Sequence, residues 1–173
     1  AKDVSEFDTL EELKASTRER LESYAKAGAE SQMKDAALGK VVESNEVDIP
    51  AIMVNDEIDR MLQELDQQMR YQGLSLEQYI QYTGKDAAAL RDELRPEAEK
   101  AVKTRLILNG IVEAEQFEVT PEEVDEELKT MAAQYQMTPE KVKELIGDNI
   151  KYMEKDLKTR KAVDFIFDNA VIK

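Results

Sequence analysis

Apolar residues recur at three- and four-residue spacing along most of the chain, and no strictly alternating segment is long enough to commit to a sheet. The pattern predicts an all-α protein. Its clearest stretch covers residues 45–62, where Val47-Asp48-Ile49 leads through Pro50 into a helix carrying Ile52, Met53, Ile58, Met61, Leu62 and Leu65. Pro50 keeps Ile49 out of the helical region and fits a first helical turn, where its missing N–H costs nothing. Gly73 reads as the stop of this helix, and Ser75 as the cap of a short one holding Leu76, Tyr79, Ile80 and Tyr82, which ends at Gly84.

The statement is made twice. Phe117-Glu-Val-Thr-Pro-Glu-Glu-Val repeats the apolar–acidic–apolar lead-in, the proline and the helix, and Glu57-Ile58-Asp59 aligns with Glu123-Val124-Asp125. Tyr71-Gln-Gly-Leu-Ser-Leu-Glu77 is echoed by Tyr135-Gln-Met-Thr-Pro-Glu140, and Thr104-Arg105 by Thr159-Arg160. A two-fold repeat of helical hairpins is the organisation this implies. The predicted elements are a long helix over about 9–44, a first hairpin over about 50–83, a return helix over about 86–112, a second hairpin over about 120–147 and a final helix over about 149–169. Thr9 with Glu12 and Thr120 with Glu123 have capping-box spacing. Gly28 and Gly39 mark places for a bend in the first helix, whose Ala-rich middle suggests a spine with other helices lying close. Pro96 predicts a kink or a break in the return helix. Tyr152, Met153, Leu157, Val163, Ile166 and Phe167 are expected on the buried side of the last helix, and Val171-Ile172 in a short extended tail.

Composition narrows the chemistry. The 173 residues are 42% hydrophobic and 36% charged, with only six Gly and four Pro, which suits long exposed helices. A net charge of −14 argues against a nucleic-acid partner, which would want a basic face. No apolar run approaches the roughly 18 residues of a membrane span. The absence of Cys fits a cytoplasmic setting. The opening AKDVSEFDT has no apolar run after Lys2, so no export signal is expected there, and a chain opening on Ala1 reads as a piece of a longer protein.

There is no His, no Cys nucleophile and no glycine-rich phosphate loop, and the serines lack an imidazole to activate them. Glu122, Glu123, Glu126 and Glu127 could place several oxygens on one helix face, but a metal site needs ligands converging from different elements, and helix-start electrostatics and a solvated face explain these residues. Lys40, Lys100 and Arg105 lie among acids and read as salt-bridge or solvated residues. Each glycine is isolated and reads as a helix stop or a packing contact. No catalytic residue, cofactor site or metal site is expected. The seven methionines say more, because Met adapts its shape to varied apolar partners. Ordinary helix–helix packing and a promiscuous binding surface both remain open for them.

The chain resembles the C-terminal domain of the trigger factor family of ribosome-associated bacterial chaperones. The resemblance runs over essentially the whole length, carried by Phe7-Asp-Thr-Leu-Glu-Glu-Leu13, Val47-Asp-Ile-Pro50, Met53-Val54, Glu57-Ile58, Met131-Ala132 with Tyr135, and Ala162-Val163. It implies a spine helix with two projecting hairpin arms, related to the helical peptide-binding module of SurA-like chaperones. It also implies ATP-independent binding of unfolded or nascent polypeptides, with ribosome docking and prolyl isomerisation in domains outside these residues. On that reading Ile52, Met53, Met61, Leu65, Met69, Tyr71, Met131, Tyr135, Met137 and Met153 would supply apolar contacts to clients. Self-association, a scaffold holding one dedicated partner, and a carboxylate–metal enzyme are the alternatives.

Overall fold

The computed structural model describes residue 7, residues 9–84 and residues 86–171. The opening stretch read for an export signal lies outside these apart from Phe7 and Thr9, and so does Ile172 of the expected tail. Among the described residues there are helices, turns and a short 3-10 segment, with no strand. None of the helices is long and apolar enough to cross a membrane.

The chain forms two compact units, one of residues 1–41 with 163–173 and one of residues 42–162. The first contains most of α1, Leu10–Ser44. It opens on a reciprocal cap, with the Thr9 N–H donating to Glu12 Oε2 at 3.1 Å and the Glu12 N–H to Thr9 Oγ1 at 3.2 Å. Lys34 then joins Glu30 at 3.0 Å and Asp164 at 2.7 Å, and its ammonium lies 5.7 Å from the centre of the Phe167 ring. Hydrogen bonds to Asp164 first, and then to Glu30, push the Lys34 ammonium above the ordinary lysine range. Along the Ala-rich middle of α1 residues 25–33 are all exposed, while Lys34 and Ala37 are half-buried.

α1 runs through Gly28 and Gly39 without interruption, and a Cβ at either would meet nothing within 4 Å. Neither glycine, nor Gly110 in α4, is a packing contact. Replacing Gly28 by alanine is therefore expected to raise stability by about 0.5–1 kcal/mol, through lost unfolded-state freedom alone, measured as a higher thermal midpoint.

The second unit begins at Val42, in the last turn of α1. Pro50 stands at the N-cap rather than in the first turn, and its carbonyl accepts from the Met53 N–H at 2.9 Å. α2, Ala51–Tyr71, ends where Gly73 takes φ +78° and the Leu74 N–H reaches back to the Met69 carbonyl at 3.0 Å. A Ser75–Gln78 capping box starts α3, Leu76–Thr83. Asp86 caps α4, Ala87–Glu115, which stays continuous through Pro96. The break does not occur because α4 is held on both sides of the proline, by Leu94 against the α2 core before it and by the fully buried Ala98 after it. That core is Val54, Ile58 and Ala98, with Ile49, Met61, Leu62 and Leu94 around it, so α2 packs mainly along α4.

Thr120 and Glu123 form the cap of α5, Pro121–Tyr135, with proline at its first position. Thr138 caps α6, Pro139–Ile146, and a 3-10 turn over Gly147–Asn149 leads into α7, Ile150–Asp168. Here the core is Leu128, Ala132 and Val142, which joins α5 to α6; Val124, Met131, Ile146 and Met153 pack against it. The long–short–long order of helices occurs twice, but the packing does not repeat: α2 takes its support from α4, whereas α5 takes it from α6.

Candidate functional site

Within α2 the positions 54, 57, 58 and 61 share one face, and three of them carry the apolar side chains expected of a core. The fourth is Glu57, which is 3% exposed. Its carboxylate accepts from Arg60 in the same helix and from Arg105 Nη1 of α4 at 3.0 Å. The Arg60 guanidinium, seconded by Arg105, holds the carboxyl below its ordinary range against the opposing effect of burial. Asp59 pairs with Arg91 beside it, so two charged links tie α2 to α4. Sequence reading aligned Glu57 with Glu123 but missed its burial. The signal was present: an acid in apolar phase, with an arginine one turn on.

Farther along α2, Asp66 accepts from the Leu76 backbone N–H at 3.1 Å and from Arg70 Nε at 2.8 Å. The Leu76 bond first, then Arg70, holds this carboxyl below its ordinary range. It fastens the start of α3 beside an open cleft of about 630 Å³, with Leu62, Leu76 and Ile80 among its lining.

In the second half, Glu123 caps Thr120 and binds Lys161, whose ammonium also donates to the Glu118 carbonyl at 2.7 Å. The Lys161 hydrogen bond first, then that from Thr120, lowers the Glu123 carboxyl from its ordinary value. One turn on, Arg160 Nη1 donates to Glu127 Oε1 at 2.9 Å. Next to this pair opens a cleft of about 410 Å³ between α5, the end of α6 and α7, with Met131, Tyr135, Ile146, Met153 and Leu157 as its apolar lining. Among the described residues no group of three or more carboxylates is placed to hold a metal ion, and Glu123 and Glu127 are taken by these cations.

Of the ten residues expected to supply apolar contacts, Met131, Tyr135 and Met153 come together in that cleft. Ile52, Tyr71 and Met137 are exposed, Tyr71 at 93%. Met53 and Leu65 are half-buried, and Met61 packs on the α2–α4 core. Met69 is 8% exposed and lies in the interior, one turn before the helix stop, so it has almost no surface to offer. Tyr152, expected on the buried side of α7, is 70% exposed. Tyr82, Leu74 and Leu145 are exposed apolar residues outside the ten. Helical phase does not separate Tyr82 and Leu145 from core residues in short helices, where both faces are within reach of solvent, and Leu74 lies between helices.

The family model of the C-terminus of bacterial trigger factor protein matches residues 9–168. Trigger factor of Geobacillus sp. (strain WCH70) is 47% identical over 173 residues, covering 99% of this chain and 40% of that protein. Trigger factor of Bacillus subtilis (strain 168) is 44% identical over 170 residues, covering 98% of this chain and 40% of that protein. The chain thus spans about 40% of the length of the relatives it matches. A solved structure of trigger factor domains from Thermotoga maritima overlays with a TM-score of 0.65 at 20% identity, covering 96% of this chain and 98% of that one. A second, solved to describe promiscuous substrate recognition by the trigger factor chaperone in folding and assembly, gives a TM-score of 0.63 at 22% identity, over 97% of this chain and 41% of that one. These two overlays speak for the all-helical fold. With the family match over residues 9–168 and relatives more than 40% identical along nearly the whole chain, the protein belongs to the bacterial trigger factor family and corresponds to its C-terminal region.

Proposed function

We propose that this chain is an ATP-independent chaperone module that binds exposed apolar segments of unfolded or nascent polypeptides in the bacterial cytoplasm. The observation that carries the reading is an adaptable apolar surface set among ion pairs: Met131, Tyr135 and Met153 share an open cleft, and Ile52, Tyr71 and Met137 stand in solvent. Methionine and tyrosine accept partners of varied shape, and a charged surround keeps such a surface soluble while it is empty. Many weak contacts along one client add up without a nucleotide cycle. The spine-and-arms arrangement, the likeness to the SurA-type helical module, and the assignment of ribosome docking and prolyl isomerisation to segments beyond these residues belong to the same proposal.

The test is suppression of aggregation of several unrelated, chemically unfolded proteins without ATP. Protection by the chain is expected. Ile52, Tyr71, Tyr135 and Met137 changed together to Glu should leave the helical spectrum unaltered, because all four are exposed, and weaken protection roughly tenfold, the equivalent of about 1.4 kcal/mol. A folded chain that protects none of these clients would overturn the proposal in favour of a scaffold for one dedicated partner.

A further inference from the structure

The two halves of the second unit place a carboxylate at matching positions and hold it differently. Glu57 is enclosed between arginines on a helix that lies along α4 over an apolar core. Glu123 and its partner Lys161 are each about a third exposed, and in the second pair Glu127 is 20% exposed under an Arg160 that is 62% exposed. α5 shares its core residues with α6, and toward α7 it has these two ion pairs, Met153 against that core, and a cleft that Leu157 also lines. Solvated ion pairs are weak and screened by salt, whereas apolar burial is not. A helix pair with its own core, fastened to the next helix by solvated charges beside an open cleft, is built to move as one body.

We infer that α5 and α6 swing together on α7 about the Glu123–Lys161 and Glu127–Arg160 pairs, opening and closing the cleft at Met131, Tyr135 and Met153, while α2 stays fixed on α4. What the cleft admits, an apolar side chain of a non-native segment, rests on the chaperone reading. The motion itself does not.

The chain lacks cysteine, so spin labels can be placed freely. Glu144→Cys with Lys155→Cys reports on α6 against α7, and Gln68→Cys with Asp92→Cys reports on α2 against α4. The α6–α7 distances are expected to be broader than the reference at low salt. They should shift outward by several ångströms in about 1 M NaCl, where the screening length is about 3 Å, and likewise with Glu127→Gln. The α2–α4 distances should stay put under both changes. An α6–α7 distribution as narrow as the reference and unmoved by salt or by Glu127→Gln overturns the inference. Permanently unfolded, reduced and carboxymethylated lactalbumin, added as probe, should further shift the α6–α7 distances. Movement with salt but no response to this probe supports the hinge and counts against the chaperone reading alone.

Discussion

Ile58→Ala is expected to lower the stability of the second unit by about 3–4 kcal/mol, the largest effect of any single truncation proposed for this chain. Ile58 is fully buried, in contact with Val54 and Ala98, and ringed by half-buried Met61, Leu62 and Leu94. Truncation removes the transfer free energy of three carbon atoms and leaves a void that the helical backbones of α2 and α4 cannot close. Ile52, on the same helix but 65% exposed, provides the internal control: Ile52→Ala should change stability by no more than about 0.5 kcal/mol. Urea unfolding of the two variants checks this through the midpoint at constant slope. Equal losses in both would contradict the packing of α2 on α4.

Glu57→Gln is the second large change. Arg60 and Arg105 reach solvent and are not stranded, so the cost falls on the buried end of the contact. Charge-assisted bonds are lost, and an amide NH₂ is turned toward guanidinium donors that offer it nothing. The expected loss is about 2–3 kcal/mol near neutral pH. Its pH dependence has a definite sign. The folded carboxyl is held below its unfolded value, chiefly by Arg60, so its contribution is complete above the ordinary carboxylate range. That contribution fades as the pH falls through the lowered folded value. The stability gap between parent and Glu57→Gln should therefore be widest near neutrality and close in acid. Asp66 and Glu123 are lowered in the same direction and steepen the acid loss in both proteins alike. Thermal midpoints of the pair across an acid series measure the gap; one that widened in acid would rule out the ion-paired Glu57.

Helix starts were legible in the sequence because the chemistry that makes them is local. Thr9 with Glu12, Ser75, Asp86 and Thr120-Pro121 with Glu123 each complete their bonds within three residues, and no distant contact is needed to read them. Partners were legible only in part. Periodicity assigned Met61, Leu65 and Met69 to one side of α2, but whether that side meets a helix or water depends on the path of α4. Met69 was consequently grouped with Tyr71, two residues on, although one is buried and the other is almost wholly in solvent. Glu57 escaped notice because an acid is counted as polar wherever it falls, and its burial depends on an arginine 48 residues away. Pro96 illustrates the reverse case: the break that a strong local rule allowed does not occur, and α4 is packed on both sides of it. Met131, Tyr135 and Met153 were named among ten apolar residues, but neither the cleft they share nor the ion pairs that flank it were read from the sequence.

Most helices loosen first at their ends, where backbone groups lack partners, and are firmest in the middle. α1 has the opposite profile. Its start is sealed by the Thr9–Glu12 exchange, and its later turns are anchored where Lys34 meets Asp164 and Phe167. Residues 18–32 between them are all exposed and include Gly28. The least protected amides of this 35-residue helix accordingly belong at its centre, and thermal opening there would form a bubble between two closed ends. A rod of this kind transmits position along its length in the cold and loses that stiffness from the inside outward as the temperature rises.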